Sequence, residues 1–244
     1  MGHRGDAGTG GSDGSRKRPD RRACGAALER VQKQTSGAKL RGVAADLGTA
    51  KGVAEMTRAV PDTDILVNNL GTYAVKPFAE ITDADWMNIF EVNVMSGVRL
   101  SGHYLPGMLR RNWGRVIFIS SESGQQIPAE MVHYGVTRTA QLAVARGLAE
   151  TVAGTGVTVN SVMPGPTASE GVTGFVTEIA RKRGLSPAEV EKEFFKSIRP
   201  SSLLKRFETP EEIAAVVAFV ASPRSAAISG AAVRADGGVA RSIL

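Results

Sequence analysis

The strongest constraint on the fold is a regular alternation of buried strand patterns with amphipathic helix patterns. Three segments are almost continuously apolar and end in turn-forming residues: DILVNNLG from Asp64, GRVIFISS from Gly114 and GVTVNSVMPG from Gly156. Such runs are typical of parallel strands that helices cover on both faces. We therefore predict an α/β fold, a single-domain, Rossmann-like, doubly wound parallel sheet.

Weaker patterns extend this alternation toward both ends of the chain. AKLRGVAADL is predicted to be a strand ending at Asp46, and GAAVRADGG is predicted to be the last strand. A long helix should begin after an N-cap at Thr82, because acidic residues follow in its first turn. Another helix should begin at Pro210, behind a capping box from Thr209 to Glu212.

Residues 1–24 differ from the rest of the chain, because they contain no Val, Ile, Leu or Phe. We predict that they are disordered and that the folded domain spans residues 25–244. They carry six Lys/Arg and three Asp, so +3 of the net charge of +6 belongs to the other residues. That scattered excess is typical of a solvated surface and argues against nucleic-acid binding.

The composition also bears on location. No run of eighteen apolar residues is present, so no membrane span is expected. The basic N-terminal residues precede no apolar stretch of the signal-peptide kind. A single cysteine, Cys24, excludes an internal disulfide. A reducing cytoplasm is the expected location.

Small and hydrogen-bonding residues follow four of the predicted strands. Because ligands bind outside the carboxyl ends of parallel strands, we expect these residues to meet at one site. Loops are commonly polar in any case, but four in the same place favour a site. The four groups are Asp46-Leu47, Asn68-Asn69-Leu70-Gly71, Ser120-Ser121-Glu122-Ser123-Gly124 and Pro164-Gly165-Pro166-Thr167.

Two helical positions carry chemistry. Asn93 falls on the apolar stripe of the helix that begins near Thr82, where it is either a structural core amide or a site residue. Tyr134 and Arg138 lie one turn apart on one helix face. That pair is either ordinary surface packing or a catalytic pair.

These residues resemble the short-chain dehydrogenase/reductase family. The matching pieces appear in family order from about residue 25 to the C-terminus, and Ser121 stands thirteen residues before Tyr134, as in the family. The pieces are NNLG, EVNV, ISSESG, YGVTR, VNSVMPG, TPEEIA and ADGG. The resemblance implies a short-chain dehydrogenase/reductase domain that transfers a hydride between NADP or NAD and a small-molecule carbonyl or alcohol substrate.

The resemblance also implies roles for individual residues. Tyr134 would be the general acid/base, Ser121 would hydrogen-bond the substrate oxygen, and Asn93 would hold a water in the proton relay. A fixed cation at Arg138 would favour the phenolate of Tyr134. The residues implied to contact the cofactor are Asp46 and Leu47 at the adenine, Asn69 and Gly71 at its ribose, Pro164, Gly165 and Thr167 at the nicotinamide, Ser169 at its carboxamide, and Tyr134 and Arg138.

Arg138 is a departure from the family, which has lysine at this position. Arginine supplies the charge and several donors for ribose hydroxyls, but it effectively never deprotonates. We therefore expect reduced activity.

The pyrophosphate-binding start of the family is a second departure. TGGSDGSR from Thr9 follows no apolar strand, so the first strand and its glycine-rich loop are interpreted as degraded or missing. A catalytically impaired remnant that acts as a binding or interaction protein is therefore the alternative function. A further hypothesis is that a reading-frame change upstream has altered the N-terminal sequence of a normal enzyme.

The segment from about Pro166 to Lys205 is long and is predicted to be a lid over the substrate. Its Phe175, Phe194 and Phe195 either form an apolar substrate wall or pack against the sheet. The choice between NAD and NADP cannot be predicted, because in the family it is determined by residues at the end of a strand that this chain lacks. No metal site is expected. A homodimer or homotetramer is expected from the family.

Overall fold

The computed structural model describes residues 20–35 and 37–243. Within them, parallel strands form one sheet in the order β1-β2-β3-β4. The strands are β1 (Ile65–Asn68), β2 (Gly114–Ile119), β3 (Val157–Pro164) and β4 (Ala232–Ala235). The α-helices are α1 (Arg21–Gln34), α2 (Ala50–Ala59), α3 (Asp83–Phe90), α4 (Ser96–Arg110), α5 (Val132–Thr151), α6 (Glu170–Arg183), α7 (Pro187–Ser197) and α8 (Pro210–Ala221). The predicted α/β architecture is confirmed.

The core lies on both faces of the sheet. Successive strand residues point to opposite faces, so Val116 and Phe118 of β2 pack with α2, α4 and α5. Ile117 points the other way and packs against Val220 of α8. This two-sided burial is the physical reason that β2 and β3 are continuously apolar in sequence.

The strand predicted to end at Asp46 does not form. Residues 38–46 have no regular structure and are largely exposed or half-buried. A strand needs a hydrogen-bonding neighbour, and β1 pairs only with β2 in the part of the chain that the structure describes. The apolar pattern before Asp46 therefore has no sheet to join.

Helix α1 extends ahead of Gly25, where the folded domain was predicted to begin. Helix α1 begins at Arg21, and the side chain of Asp20 caps it by accepting from the amide of Arg22. The other residues predicted to be disordered, 1–19, lie outside the described residues. No residue of α1 is buried, so this helix contributes little to the core.

The helix predicted from Thr82 is confirmed, and so is its cap. The hydroxyl of Thr82 accepts from the amide of Asp85, whose carboxylate in turn accepts from the amide of Thr82. After α3 the backbone widens into a π-helical turn, Glu91–Met95, and then continues as α4.

The segment from Pro166 to Lys205 is more ordered than a lid loop. It contains α6, capped by Ser169, and α7, capped by Ser186. The sequence pattern underestimated this helical content, because both helices are rich in charge and bury few residues. No helix of the described chain combines the length and apolar character needed to cross a bilayer.

Candidate functional site

The π-helical turn presents Asn93 to two other elements. Its side chain is fully buried, and π-helical turns of this kind are frequent at functional sites. The amide oxygen accepts from the backbone of Thr72 at 2.7 Å, and the amide nitrogen donates to the carbonyl of Thr72 at 3.0 Å and to Thr137 Oγ1 at 2.9 Å. Asn93 therefore ties the loop after β1 to helix α5. These are the contacts of a core amide, and its part in a proton relay stays a prediction.

Helix α5 brings Arg138 underneath Tyr134. The guanidinium carbon lies 4.9 Å from the centroid of the Tyr134 ring, which is cation–π distance. Arg138 is buried, and its Nη1 donates to the carbonyl of Ile119 and to Gln141 Oε1, both at 2.9 Å. Gln141 Nε2 donates in turn to the carbonyl of Asn93 at 2.7 Å. Arg138, Gln141 and Asn93 thus form one chain of hydrogen bonds behind Tyr134.

Gly71 leaves room for this guanidinium. A Cβ at that position would lie 2.3 Å from Arg138 Nη2, so any larger residue would push the arginine away. A side chain at this position would therefore require the guanidinium to shift from its hydrogen bonds. Its expected contact with the adenine ribose stays a prediction.

Ser121 lies at the end of β2, where a short 3₁₀ turn, Glu122–Gly124, begins. Its hydroxyl accepts from the amide of Ser123 at 3.1 Å and donates to Glu122 Oε2 at 2.5 Å. Glu122 is buried, and its other oxygen accepts from Arg199 Nε at 3.1 Å. The orientation of the Ser121 hydroxyl therefore depends on a carboxylate held by an arginine that follows α7.

The loop after β3 packs tightly against the last strand. A Cβ on Gly165 would lie 2.7 Å from the carbonyl of Asp236 and 2.8 Å from Glu208 Oε1. The hydroxyl of Thr167 donates to the carbonyl of Gly165 at 3.0 Å, which stiffens the turn. Burial raises the pKa of Glu208 to about 7, and the neighbouring carboxylate of Glu122 adds to the effect.

Residues predicted at the strand ends line two separate cavities. A cavity of about 590 Å³, named the α6 cavity here, is lined by Ser121, Tyr134, Gly165 and Thr167, together with residues of α6 and α7. A second cavity, of about 330 Å³, is lined by fewer residues and is named the β1 cavity here. Its lining residues are Leu47, Val67, Asn68, Asn69, Leu70, Ser96 and Leu100.

Each cavity contains some of the residues predicted to contact a dinucleotide. Gly165 and Thr167, predicted for the nicotinamide, line the α6 cavity, whereas Pro164 does not. Leu47 and Asn69, predicted for the adenosine end, line the β1 cavity. Asn68 Oδ1 at the β1 cavity is buried and has no hydrogen-bond partner among the described residues, so it can accept from a ligand. Within the described chain, no glycine-rich turn at a helix start lies beside β1 for the pyrophosphate.

Two predicted contact residues make local hydrogen bonds. Asp46 Oδ1 accepts from the amide of Gly48 at 3.0 Å, just ahead of α2. Ser169 Oγ accepts from the amide of Val172 at 3.4 Å and so caps α6. Neither lines the two cavities described above, and their cofactor contacts stay predictions.

Sequence reasoning gave no role to Gln141 or Arg199, and it placed Glu122 among the strand-end residues without an individual role. Gln141 follows Arg138 by three residues, so helical spacing could have placed the two on one face. Glu122 and Arg199 are 77 residues apart, and no local pattern connects them. Only the packing of the segment after α7 brings this pair together.

Comparisons with known proteins match both the chain and the fold. The family model described as enoyl-(acyl carrier protein) reductase matches residues 20–240. The uncharacterised oxidoreductase YvaG of Bacillus subtilis is 47% identical over 216 residues, which cover 88% of this chain and 82% of the relative. The short-chain reductase NovJ of Streptomyces niveus is 34% identical, over 91% of this chain and 81% of the relative.

A solved structure extends the likeness to three dimensions. L-sorbose reductase from Gluconobacter frateurii, complexed with NADPH and L-sorbose, superimposes with a TM-score of 0.85 at 27% identity. The match covers 92% of this chain and 85% of that one. With the sequence matches, it shows that the chain belongs to the short-chain dehydrogenase/reductase family and is an NAD(P)-dependent oxidoreductase.

Proposed function

We propose that this oxidoreductase interconverts a small-molecule carbonyl and the corresponding alcohol at the α6 cavity, with Tyr134 as general acid/base. The observation that supports this most directly is the meeting of Ser121 and Tyr134 in the wall of one cavity, although they come from different elements. The relatives' names as oxidoreductases and reductases do not favour a non-catalytic remnant.

Tyr134 would give its proton to the substrate oxygen during reduction and take it back during oxidation. A tyrosine hydroxyl ordinarily titrates near pH ~10, so an efficient exchange near neutrality needs the phenolate to be stabilised. The guanidinium of Arg138 is the positive charge that lies under the ring. Since arginine keeps its protons, the proton taken up later must reach Tyr134 by a route other than Arg138.

Ser121 would orient the substrate oxygen. With its proton directed at Glu122 and one lone pair accepting from the amide of Ser123, the serine keeps one lone pair that can accept from an alcohol hydroxyl. A rotation about the Cβ–Oγ bond redirects the proton toward a carbonyl oxygen. Glu122 and Arg199 would therefore act as positioning residues, because they hold the serine without touching the substrate carbon.

NAD(P), when bound, supplies or accepts the hydride. Pro164, Gly165 and Thr167 would hold its nicotinamide end beside Tyr134, and Leu47 and Asn69 would hold its adenosine end. The roles of Asp46, Gly71 and Ser169 at the cofactor, and that of Asn93 in a proton relay, belong to the same proposal.

The proposal is tested by replacing Tyr134 with Phe. This change removes the hydroxyl and keeps the ring over Arg138, so we expect kcat to fall by at least ~100-fold with the fold intact. Carbonyl reduction would be followed through the absorbance of NADPH or NADH, and folding by circular dichroism. Tyr73→Phe is the matched control, because Tyr73 lines the same cavity with its ring centroid 6.2 Å from that of Tyr134. An equal loss in both variants, or full activity in Tyr134→Phe, would contradict the proposal.

We also propose a cytoplasmic location and a homodimer or homotetramer. The single cysteine and the use of NAD(P) support the location. Exposed apolar side chains support the assembly, among them Met87 on α3 and Val136 on α5.

A further inference from the structure

Helix α6 turns an apolar stripe toward the α6 cavity. Val172, Phe175, Val176 and Ile179 all line it, at the i, i+3, i+4, i+7 spacing of one helix face. In α6 only Ala180 is buried, so this stripe packs against little protein. Phe175 is 63% exposed and forms part of the cavity wall.

The phenylalanines that follow are divided between packing and lining. Phe195 of α7 is buried, with its ring centroid 5.0 Å from that of Phe194 and 5.1 Å from that of Phe207. Phe194 and Phe207 also line the cavity. Phe195 thus fixes two rings that present apolar surface to whatever occupies the space.

The arginines that line this cavity form ion pairs with glutamates. Of the described residues that line it, the arginines are Arg183, which pairs with Glu193 at 2.7 Å, and Arg199. Arg199 pairs with Glu122 at 3.1 Å and with Glu130 at 3.4 Å. The glutamates that line the cavity, Glu122, Glu130 and Glu193, outnumber its two arginines, so the cavity offers no net positive charge to attract a carboxylate or phosphate.

We infer that the substrate is an uncharged ketone or secondary alcohol with an extended apolar body that lies along the α6 stripe. The polar end of the cavity, at Ser121 and Tyr134, would take the oxygen, and the stripe would take the hydrocarbon part. In reduction, the carbonyl carbon gains a hydride from reduced NAD(P) and the oxygen gains the proton of Tyr134. This inference rests on the proposed function.

The inference sets a quantitative expectation for chain length. Each methylene moved from water to an apolar wall is worth about fourfold in affinity. The affinity of methyl ketones should therefore rise by about that factor per methylene from 2-butanone to 2-decanone, until the stripe is covered.

Binding and turnover should be measured separately, with the full chain. Titration calorimetry with 2-butanone, 2-hexanone and 2-decanone gives affinities, and NADPH or NADH oxidation gives kcat/KM for the same ketones. L-sorbose serves as a neutral polar comparison and acetoacetate as an anionic one. We expect both measurements to favour 2-decanone over both comparison compounds.

The outcomes separate the two proposals. Turnover that favours L-sorbose or acetoacetate would leave the oxidoreductase proposal standing and overturn the apolar substrate. Length-dependent binding without turnover of any ketone would support the apolar site and contradict the proposed function. Binding and kcat/KM that are both independent of chain length would overturn the inference.

A variant of the stripe adds a local test. Phe175→Ser should lower kcat/KM for 2-decanone by about tenfold and leave 2-butanone within about twofold, because only the longer chain covers this wall. Phe219→Ser on α8 is the control, since Phe219 is also exposed but does not line the cavity. Equal effects of the two variants would contradict the placement of the substrate.

Discussion

Arg138 supplies both a permanent positive charge and a planar group with several hydrogen-bond donors. It is a permanent cation held at the carbonyl of Ile119 and at Gln141, and its planar group covers the space beside Gly71. Gln141 Nε2 donates to the carbonyl of Asn93. The resulting chain of hydrogen bonds orients the site, but a guanidinium cannot pass a proton along it, because arginine stays protonated in proteins.

Arg138→Lys should therefore raise turnover. A lysine amine keeps the charge and can release and regain a proton, so we expect kcat to increase by about tenfold, within the range of general acid–base effects. The measurement is kcat for carbonyl reduction across pH, with folding checked by circular dichroism.

Arg146→Lys is the matched control for this substitution. Arg146 lies on the same helix and pairs on the surface with Glu150, so its replacement should leave kcat unchanged. A folded Arg138→Lys variant with unchanged or lower kcat would show that the lysine relay is not what this chain lacks.

Strand β1 has an open edge. It pairs on one side with β2, and within the described chain its other edge has no strand. Ile65 and Val67 are each 41% exposed, which is high for residues in a parallel sheet. An open edge with apolar side chains is a template for pairing with another chain.

Ile65→Lys should reduce self-association through this edge. A charge on an edge strand disfavours pairing with another copy, so the variant should shift toward lower mass in size-exclusion chromatography with light scattering. Ile243→Lys provides the comparison, because Ile243 is almost fully exposed and lies outside the sheet. If both substitutions act alike, general charge explains the effect and the β1 edge does not.

Across the whole molecule, Glu208 links stability to pH. It is buried where the loop after β3 meets Gly237, and its Oε2 has no hydrogen-bond partner among the described residues. Its pKa is raised from 4.5 to about 7, mainly by burial. The folded protein thus favours the neutral carboxyl, whereas the unfolded chain ionises at its ordinary pKa.

The free energy of unfolding should therefore fall as pH rises from about 4.5 to about 7. The stability from Glu208 is fully present below its unfolded pKa and is lost as pH rises through its folded pKa. The loss is at most ~4 kcal/mol, at ~1.4 kcal/mol per pKa unit. Glu208→Gln should be more stable than the unmodified protein at about pH 8 and similar to it at about pH 4.

Urea unfolding at the two pH values measures this difference. Glu211→Gln is the control, because Glu211 is exposed in the first turn of α8. A Glu208→Gln variant with the same pH slope as the unmodified protein would exclude Glu208 as the group responsible.

The sequence by itself determined the order of the main elements and several of their ends. Continuous apolar runs predicted β1, β2 and β3, and the caps at Thr82 and Thr209 predicted where α3 and α8 begin. These features are local, because a cap or a strand pattern is formed by neighbouring residues. The family motifs likewise named Ser121 and Tyr134, which meet at one cavity.

Only the tertiary structure decided which patterns find partners. The run before Asp46 has strand composition but no neighbouring strand, so it stays irregular. The contact between Arg199 and Glu122 spans 77 residues, and it leaves the α6 cavity without an unpaired arginine. Strand pairing and charge pairing are long-range interactions, so they depend on how the elements pack and not on the residues beside them.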